Sequence, residues 1–133
     1  MREILFRGKR IDKGEWVEGF YVKCRGHHYI LPQYDIDHGF DERYSDWIEV
    51  SDQTICQYTG LSDRNDREIF EGDIISIPRS NKKGLPAEVY YRPIESSFCI
   101  RRIGYEPISL NGVGRWGEII GTIFDNPELI KRR

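Results

Sequence analysis

The sequence predicts an all-β protein in which an N-terminal β-hairpin lobe, residues 1–52, packs on a small barrel, residues 53–133, with a short helix at the end. Two observations predict this class. Apolar residues recur with a period of two in short runs, and Gly, Pro, Ser, Asn or Asp separates one run from the next. A chain of 133 residues also buries enough surface to fold without a metal or a disulfide.

The N-terminal lobe begins with a predicted hairpin over residues 3–22. "EILFR" and "EWVEGFYVKC" are the two strands, and Asp12-Lys13-Gly14 is the turn, because glycine adopts the positive φ that hairpin turns require. Alternation places one set of side chains on the same face of the second strand: Trp16, Phe20, Val22 and Cys24. "HHYIL" is a third strand that ends at Pro32, since proline cannot donate to a ladder.

The rest of the chain repeats this pattern in short strands. They are "WIEV", "TICQYTG", "EIF", "DIISI", "EVYYR", "FCIRRI" and "EIIGTIF". "DNPELIKR" predicts the short C-terminal helix, with Asn126 as cap, Pro127 in the first turn, and Leu129 and Ile130 packed on the sheet. The glycine-rich "NGVGRWG" is interpreted as a flexible hairpin connection.

"CQYTGLSDRNDREIFEGDIISI" predicts a strand-turn-strand corner. Asp63 and Asn65 belong to a turn of residues whose short side chains bond their own backbone, and Gly60 lies just before it. Gly72 allows a sharp turn, and Asp73 can accept a backbone N–H bond before the isoleucine-rich strand. A Gly-Asp step of this kind is frequent in SH3-like barrels, so these carboxylates are predicted to be architectural.

Three segments together resemble the YopX family, small proteins of phages and prophages. They are "REILFRGKRIDKGEWVEGFY", "QYTGLSDRNDREIFEGDIISI" and "IIGTIFDNPELI", which cover about half the chain in the family's order. Asp66 is a departure, since the family often has Gly after Asn. The resemblance implies an N-terminal β lobe attached to an SH3-like barrel. It implies no established activity and no catalytic residues.

Composition excludes several classes. No apolar run approaches the roughly 20 residues that span a bilayer, and the N-terminus lacks the pattern of a secretory signal. Cys24, Cys56 and Cys99 are odd in number and widely spaced, which does not indicate a disulfide framework. We therefore expect a cytoplasmic protein of the bacterial host, with no membrane partner; the oligomeric state is left open.

Metal and catalytic patterns are weak. Cys24, His27, His28 and His38 could supply zinc ligands, but no second paired motif follows, and a strand points His27 and His28 to opposite faces. "DIDHGFDERYSD" lacks the glycine of a calcium loop at its sixth place. No Gly-x-Ser-x-Gly or phosphate-binding glycine motif is present. We predict no metal, no cofactor and no enzymatic activity.

The stretch from residue 79 to residue 116 is the candidate interaction surface. From Arg79 to Arg115 it carries seven basic and three acidic residues, a charge of +4 in a chain whose net charge is −2. Arginine and aromatic residues are interleaved within it: Tyr90, Tyr91, Arg92, Arg101, Arg102, Tyr105, Arg115 and Trp116. This composition suits contact with a host or phage protein, the favoured hypothesis, or with nucleic acid, the alternative. Strand alternation could instead place the aromatic rings in the core.

Overall fold

The structure is a computed structural model that describes residues 3–32, 47–79 and 82–130. It is built of antiparallel strands and single-turn 3₁₀ helices, which confirms the all-β class. The described residues form eleven strands: β1 Phe6–Lys9, β2 Trp16–Cys24, β3 His27–Pro32, β4 Ile48–Glu49, β5 Cys56–Ser62, β6 Glu68–Phe70, β7 Asp73–Arg79, β8 Lys82–Arg92, β9 Ser97–Arg101, β10 Ile108–Ser109 and β11 Glu118–Thr122. None of the described helices is long and apolar enough to cross a membrane.

The chain divides into two compact units, Met1–Tyr58 and Thr59–Arg133. The sequence predicts a domain boundary between residues 52 and 53, and this boundary stays a prediction. Strand β5 begins in the first unit and ends in the second.

The first unit is an antiparallel sheet with the order β4-β3-β2-β1-β5. β1 and β2 form the N-terminal hairpin, in which Gly14 has a φ of 69° and its N–H donates to the carbonyl of Arg10 at 2.9 Å. Ile30 and Val50 are fully buried on one face of the sheet, whereas Phe20 on the other face is 46% exposed. The acidic segment from Asp35 to Asp46, with His38, lies outside the described residues.

The second unit contains β6 and an antiparallel sheet with the order β10-β9-β8-β7-β11. Alternate residues of its strands form one apolar core: Ile75, Ala87, Val89, Ile100 and Ile119, with Ile69 and Leu110 packed against them. In the described part of the chain this order is that of an open sheet. Closure into an SH3-like barrel stays a prediction.

Two local predictions were wrong. The "NGVGRWG" segment is no flexible hairpin connection but two 3₁₀ turns, Leu110–Gly112 and Gly114–Trp116. Leu110 is fully buried and anchors the segment, and Gly114 leaves room for its side chain, since a Cβ there would lie 3.1 Å from Leu110 Cδ1. Burial of this leucine holds the segment on the core.

The C-terminal helix is a single 3₁₀ turn, Pro127–Leu129, and the predicted capping by Asn126 is wrong. Asn126 Oδ1 instead accepts the backbone N–H of Thr122 at 3.2 Å. The amide therefore ties the turn to β11.

Candidate functional site

In the corner after β5, the buried carboxylates accept hydrogen bonds from backbone N–H groups. Asp63, 4% exposed, accepts the N–H groups of Asn65 and Arg67 on Oδ1, both at 2.9 Å, and that of Ile119 on Oδ2 at 3.0 Å. Burial alone raises the pKa of Asp63, but the three backbone hydrogen bonds outweigh burial and hold this pKa below its ordinary value of 3.8. Asp63 therefore ties the β5–β6 turn to β11.

The second half of the corner repeats this use of a carboxylate. Asp73, 1% exposed, accepts the N–H of Phe70 on Oδ2 at 2.8 Å. Gly72 has a φ of 82°, donates its N–H to Val89 at 2.8 Å and accepts that of Ile123 at 2.8 Å. Positive φ also occurs at Gly60, 85°, and Asp66, 61°. These contacts give the corner an architectural role.

Strand register divides the basic and aromatic residues between two faces of the sheet. In the β8–β9 pair, Glu88 is opposite Arg101, and Tyr91 is opposite Phe98. Residues that face each other across an antiparallel pair share a face, and successive residues alternate. Tyr90 therefore lies on the face of Glu88 and Arg101, whereas Tyr91 lies on the core face, at its end, where its ring is 5.4 Å from that of Phe98.

A groove of about 440 Å³ opens beside β8 and β9 in the second unit. Its walls come from three stretches: β8, the end of β9 with the turn after it, and the C-terminal 3₁₀ turn with the residue after it. We call it the β8–β9 groove and define it by its lining residues: Leu85, Pro86, Glu88, Arg101, Arg102, Ile103, Leu129 and Ile130. Five of the eight are apolar, and Ile103 is 48% exposed.

Arg101 is fully engaged at the edge of this groove. Its Nε and Nη2 atoms donate to the two carboxylate oxygens of Glu88 at 3.1 and 3.0 Å, and its guanidinium lies 4.1 Å from the centre of the Tyr90 ring. The hydrogen bonds to Glu88 raise the pKa of Arg101 above its ordinary value. The carboxylate offsets the charge of this arginine.

Arg102 has a different environment. Its guanidinium lies 4.5 Å from the centre of the Tyr105 ring, and its Nε is buried without a hydrogen-bond partner. Among the described residues, no carboxylate forms an ion pair with it. Arg102 as a whole is half-buried, and it lines the groove. The groove therefore carries one positive charge without a matching carboxylate.

The remaining predicted surface residues lie outside the groove lining. Arg92 pairs with Glu95 at 3.7 Å, and Arg115 lies 5.8 Å from the ring centre of Trp116, which is 62% exposed. Of the eight candidates, the structure brings only Arg101 and Arg102 into the groove, with Tyr90 and Tyr105 stacked behind them.

Sequence reasoning missed the apolar walls. Leu85 and Pro86 belong to no distinctive motif, and Ile103 follows directly after the candidate residues Arg101 and Arg102. Leu129 and Ile130 were expected to pack on the sheet; both are half-buried, and they line the groove together with residues of β8 and β9.

His27 and His28, the two described histidines of the first unit, have local partners. His27 Nδ1 lies 2.7 Å from Glu49 Oε2, and His28 Nδ1 lies 2.6 Å from the hydroxyl of Tyr21. Among the described residues, no three His, Cys, Asp or Glu side chains are grouped as metal ligands would be.

The comparisons with known proteins agree with this fold. The solved structure "Crystal structure of protein EF1440 from Enterococcus faecalis" has a TM-score of 0.59 and 22% identity, and the alignment covers 98% of this chain and 100% of that one. Among curated proteins, none matches this sequence. The family model described as "YopX protein" matches residues 5–131. The chain therefore belongs to the YopX protein family.

Proposed function

We propose that this protein is a non-enzymatic accessory protein of a phage or prophage, working in the bacterial cytoplasm by binding a partner protein through the β8–β9 groove. The observation that carries the proposal is an apolar groove flanked by an arginine with which none of the described carboxylates pairs. A volume of about 440 Å³ is of the size that takes a few side chains of a ligand.

The lining supports protein contact. Aliphatic walls exclude water, and an arginine held against a tyrosine ring is pre-positioned, so it loses little freedom when a partner binds. Arginine and tyrosine are enriched among the residues that contribute most to protein interfaces.

Three carboxylates of this unit support a role without a chemical step. Glu88 is bonded to Arg101, while Asp63 and Asp73 accept backbone N–H groups. A general acid or base needs a carboxyl group within reach of a substrate proton. These three carboxylates are occupied by the protein itself.

Site-specific photo-crosslinking tests the proposal. The photoreactive amino acid p-benzoylphenylalanine would replace Ile103 in the groove or, as the control, Ile94, which is 82% exposed and outside it. The full-length protein would be irradiated in its native host. We expect a discrete protein adduct from position 103 that Leu129→Asp removes and that position 94 does not give. Equal crosslinking from both positions would contradict the proposal.

Nucleic-acid binding is the second candidate, favoured by the arginine–aromatic pairs. Two of those arginines are paired with Glu88 and Glu95, and a guanidinium covers one face of Tyr90 that a base would need for stacking. Fluorescence anisotropy with single- and double-stranded oligonucleotides at low salt separates the two candidates. Affinity that falls steeply as salt rises would favour nucleic acid, and no binding at tens of micromolar protein would exclude it.

A further inference from the structure

We infer that the β8–β9 groove recognises an extended acidic segment of a partner protein, in which an aliphatic side chain lies next to a single carboxylate. The inference rests on the proposed function and names the chemistry of the partner. It is carried by the contrast between the two neighbouring arginines at the groove.

The first step is the charge balance of the groove. Glu88 matches Arg101 in a two-bond pair, so these two residues leave no net charge. Arg102 adds one positive charge with no described carboxylate beside it. The charged lining residues therefore sum to one positive charge, which complements one carboxylate and disfavours a basic segment.

The second step is the geometry of Arg102. Its guanidinium lies over the Tyr105 ring, and this contact restrains the side chain. Nε is buried without a hydrogen-bond partner and the residue lines the groove, so a ligand in the groove would meet the terminal nitrogens. A carboxylate is the anionic group of proteins whose planar shape fits this fork.

The third step is the neighbouring apolar wall. Ile103 follows Arg102 directly and is 48% exposed, and Leu129 and Ile130 line the same groove. An aliphatic side chain next to the bound carboxylate would cover this wall and lose its own contact with water. An acidic residue adjacent to Leu, Ile or Val satisfies both requirements at once.

The probe is a displayed library of random twelve-residue peptides, selected on the immobilised full-length protein. Enriched peptides are then labelled, and their dissociation constants are measured by fluorescence polarisation against three proteins: the wild type, Arg102→Gln and Arg115→Gln. Arg115→Gln is the matched control, because it removes an arginine that also lies over an aromatic ring, at Trp116, but outside the groove. Circular dichroism checks that each variant is folded.

We expect enriched peptides to contain an acidic residue next to an aliphatic one. Arg102→Gln should weaken their binding about 10- to 100-fold, which corresponds to one charge-assisted hydrogen-bonded contact, and Arg115→Gln should change it less than about twofold. Arg102→Lys keeps the charge but loses the fork, so it should restore part of the affinity. Raising the salt concentration should weaken wild-type binding more than binding by Arg102→Gln.

Two results would overturn the inference, and they differ in what else they overturn. Enrichment of uncharged or basic peptides whose binding Leu129→Asp removes would leave the groove as a docking site but refute the acidic class. Peptides that bind wild type and Leu129→Asp equally, or no enrichment at all, would refute the groove itself and the proposed function with it.

Discussion

The corner and the β8–β9 groove belong to the same unit, and both contain charged residues, but they use charge in opposite ways. In the corner, three backbone N–H groups occupy the carboxylate of Asp63, and one occupies a carboxylate oxygen of Asp73. At the groove, Arg101 is satisfied by Glu88, whereas Arg102 has no carboxylate beside it among the described residues. The corner's carboxylates thus bond the backbone of the protein itself, whereas no described carboxylate pairs with Arg102, and this contrast is the basis of the proposed binding role.

The largest effect is expected from Asp63→Asn. The amide NH₂ group would take the place of one oxygen, so either the N–H of Ile119 or those of Asn65 and Arg67 would face a donor in a buried site. We expect the free energy of unfolding to fall by about 2 to 4 kcal/mol, measured by urea denaturation at neutral pH. Asp66→Asn is the matched control, because Asp66 is exposed and asparagine tolerates its positive φ. Equal losses of unfolding free energy in the two variants would contradict the role given to the Asp63 carboxylate.

The pH dependence of stability sharpens the same point. The folded-state pKa of Asp63 is below its ordinary value of 3.8, so its contribution is present above about pH 4 and is lost as pH falls through the folded-state value. The difference in unfolding free energy between wild type and Asp63→Asn should therefore be largest near neutral pH and shrink below about pH 4. A difference that stays constant between about pH 7 and pH 3 would show that the ionised carboxylate contributes nothing.

A smaller effect is expected from Gly72→Ala. A left-handed backbone costs a side chain about 1 to 2 kcal/mol, and Gly72 has a φ of 82° with both backbone groups bonded. Gly112→Ala, at a position with open space for a Cβ, should change stability by less than about 0.5 kcal/mol. Thermal unfolding of both variants measures the difference in stability. An unchanged stability of Gly72→Ala would show that the corner does not require glycine.

The smallest stability effect is expected at the groove itself. Glu88→Gln breaks the pair with Arg101, whose side chain is 53% exposed, and such pairs contribute at most about 1 kcal/mol. Glu95→Gln, which breaks the longer 3.7 Å pair with Arg92, is the control and should be close to neutral. The same Glu88→Gln variant frees a second positive charge in the groove, so acidic peptides should bind it more tightly than wild type. Weaker binding of these peptides would contradict the charge balance proposed for the groove.

Much of the fold was accessible to the sequence because its signals are local. Alternation around Trp16–Cys24 gave a strand, and the residue types of the corner gave its turn chemistry. The C-terminal turn was predicted to be a helix because Asn126 and Pro127 suit a helix start, but the Asn126 side chain bonds the N–H of Thr122 instead of capping the turn. The glycine-rich segment 111–117 was interpreted as flexible because composition does not reveal that the preceding Leu110 is buried in the core.

The candidate site was accessible only in part. Arg101 and Arg102 were singled out with six others, but which of them share a groove depends on the β8–β9 register, and no local pattern contains that register. Glu88 lies opposite Arg101 and neutralises its charge, whereas no described carboxylate pairs with the neighbouring Arg102. Leu129 and Ile130, more than 25 residues further along the chain, complete the wall.

The sequence by itself determined that this chain forms strands, where the corner turns, and which family it resembles, because periodicity and turn chemistry act over a few residues. Only the tertiary structure decided which charged side chains pair with one another and which does not. Strand pairing brings distant side chains together, and this pairing leaves Arg102 beside an apolar wall without a carboxylate among the described residues.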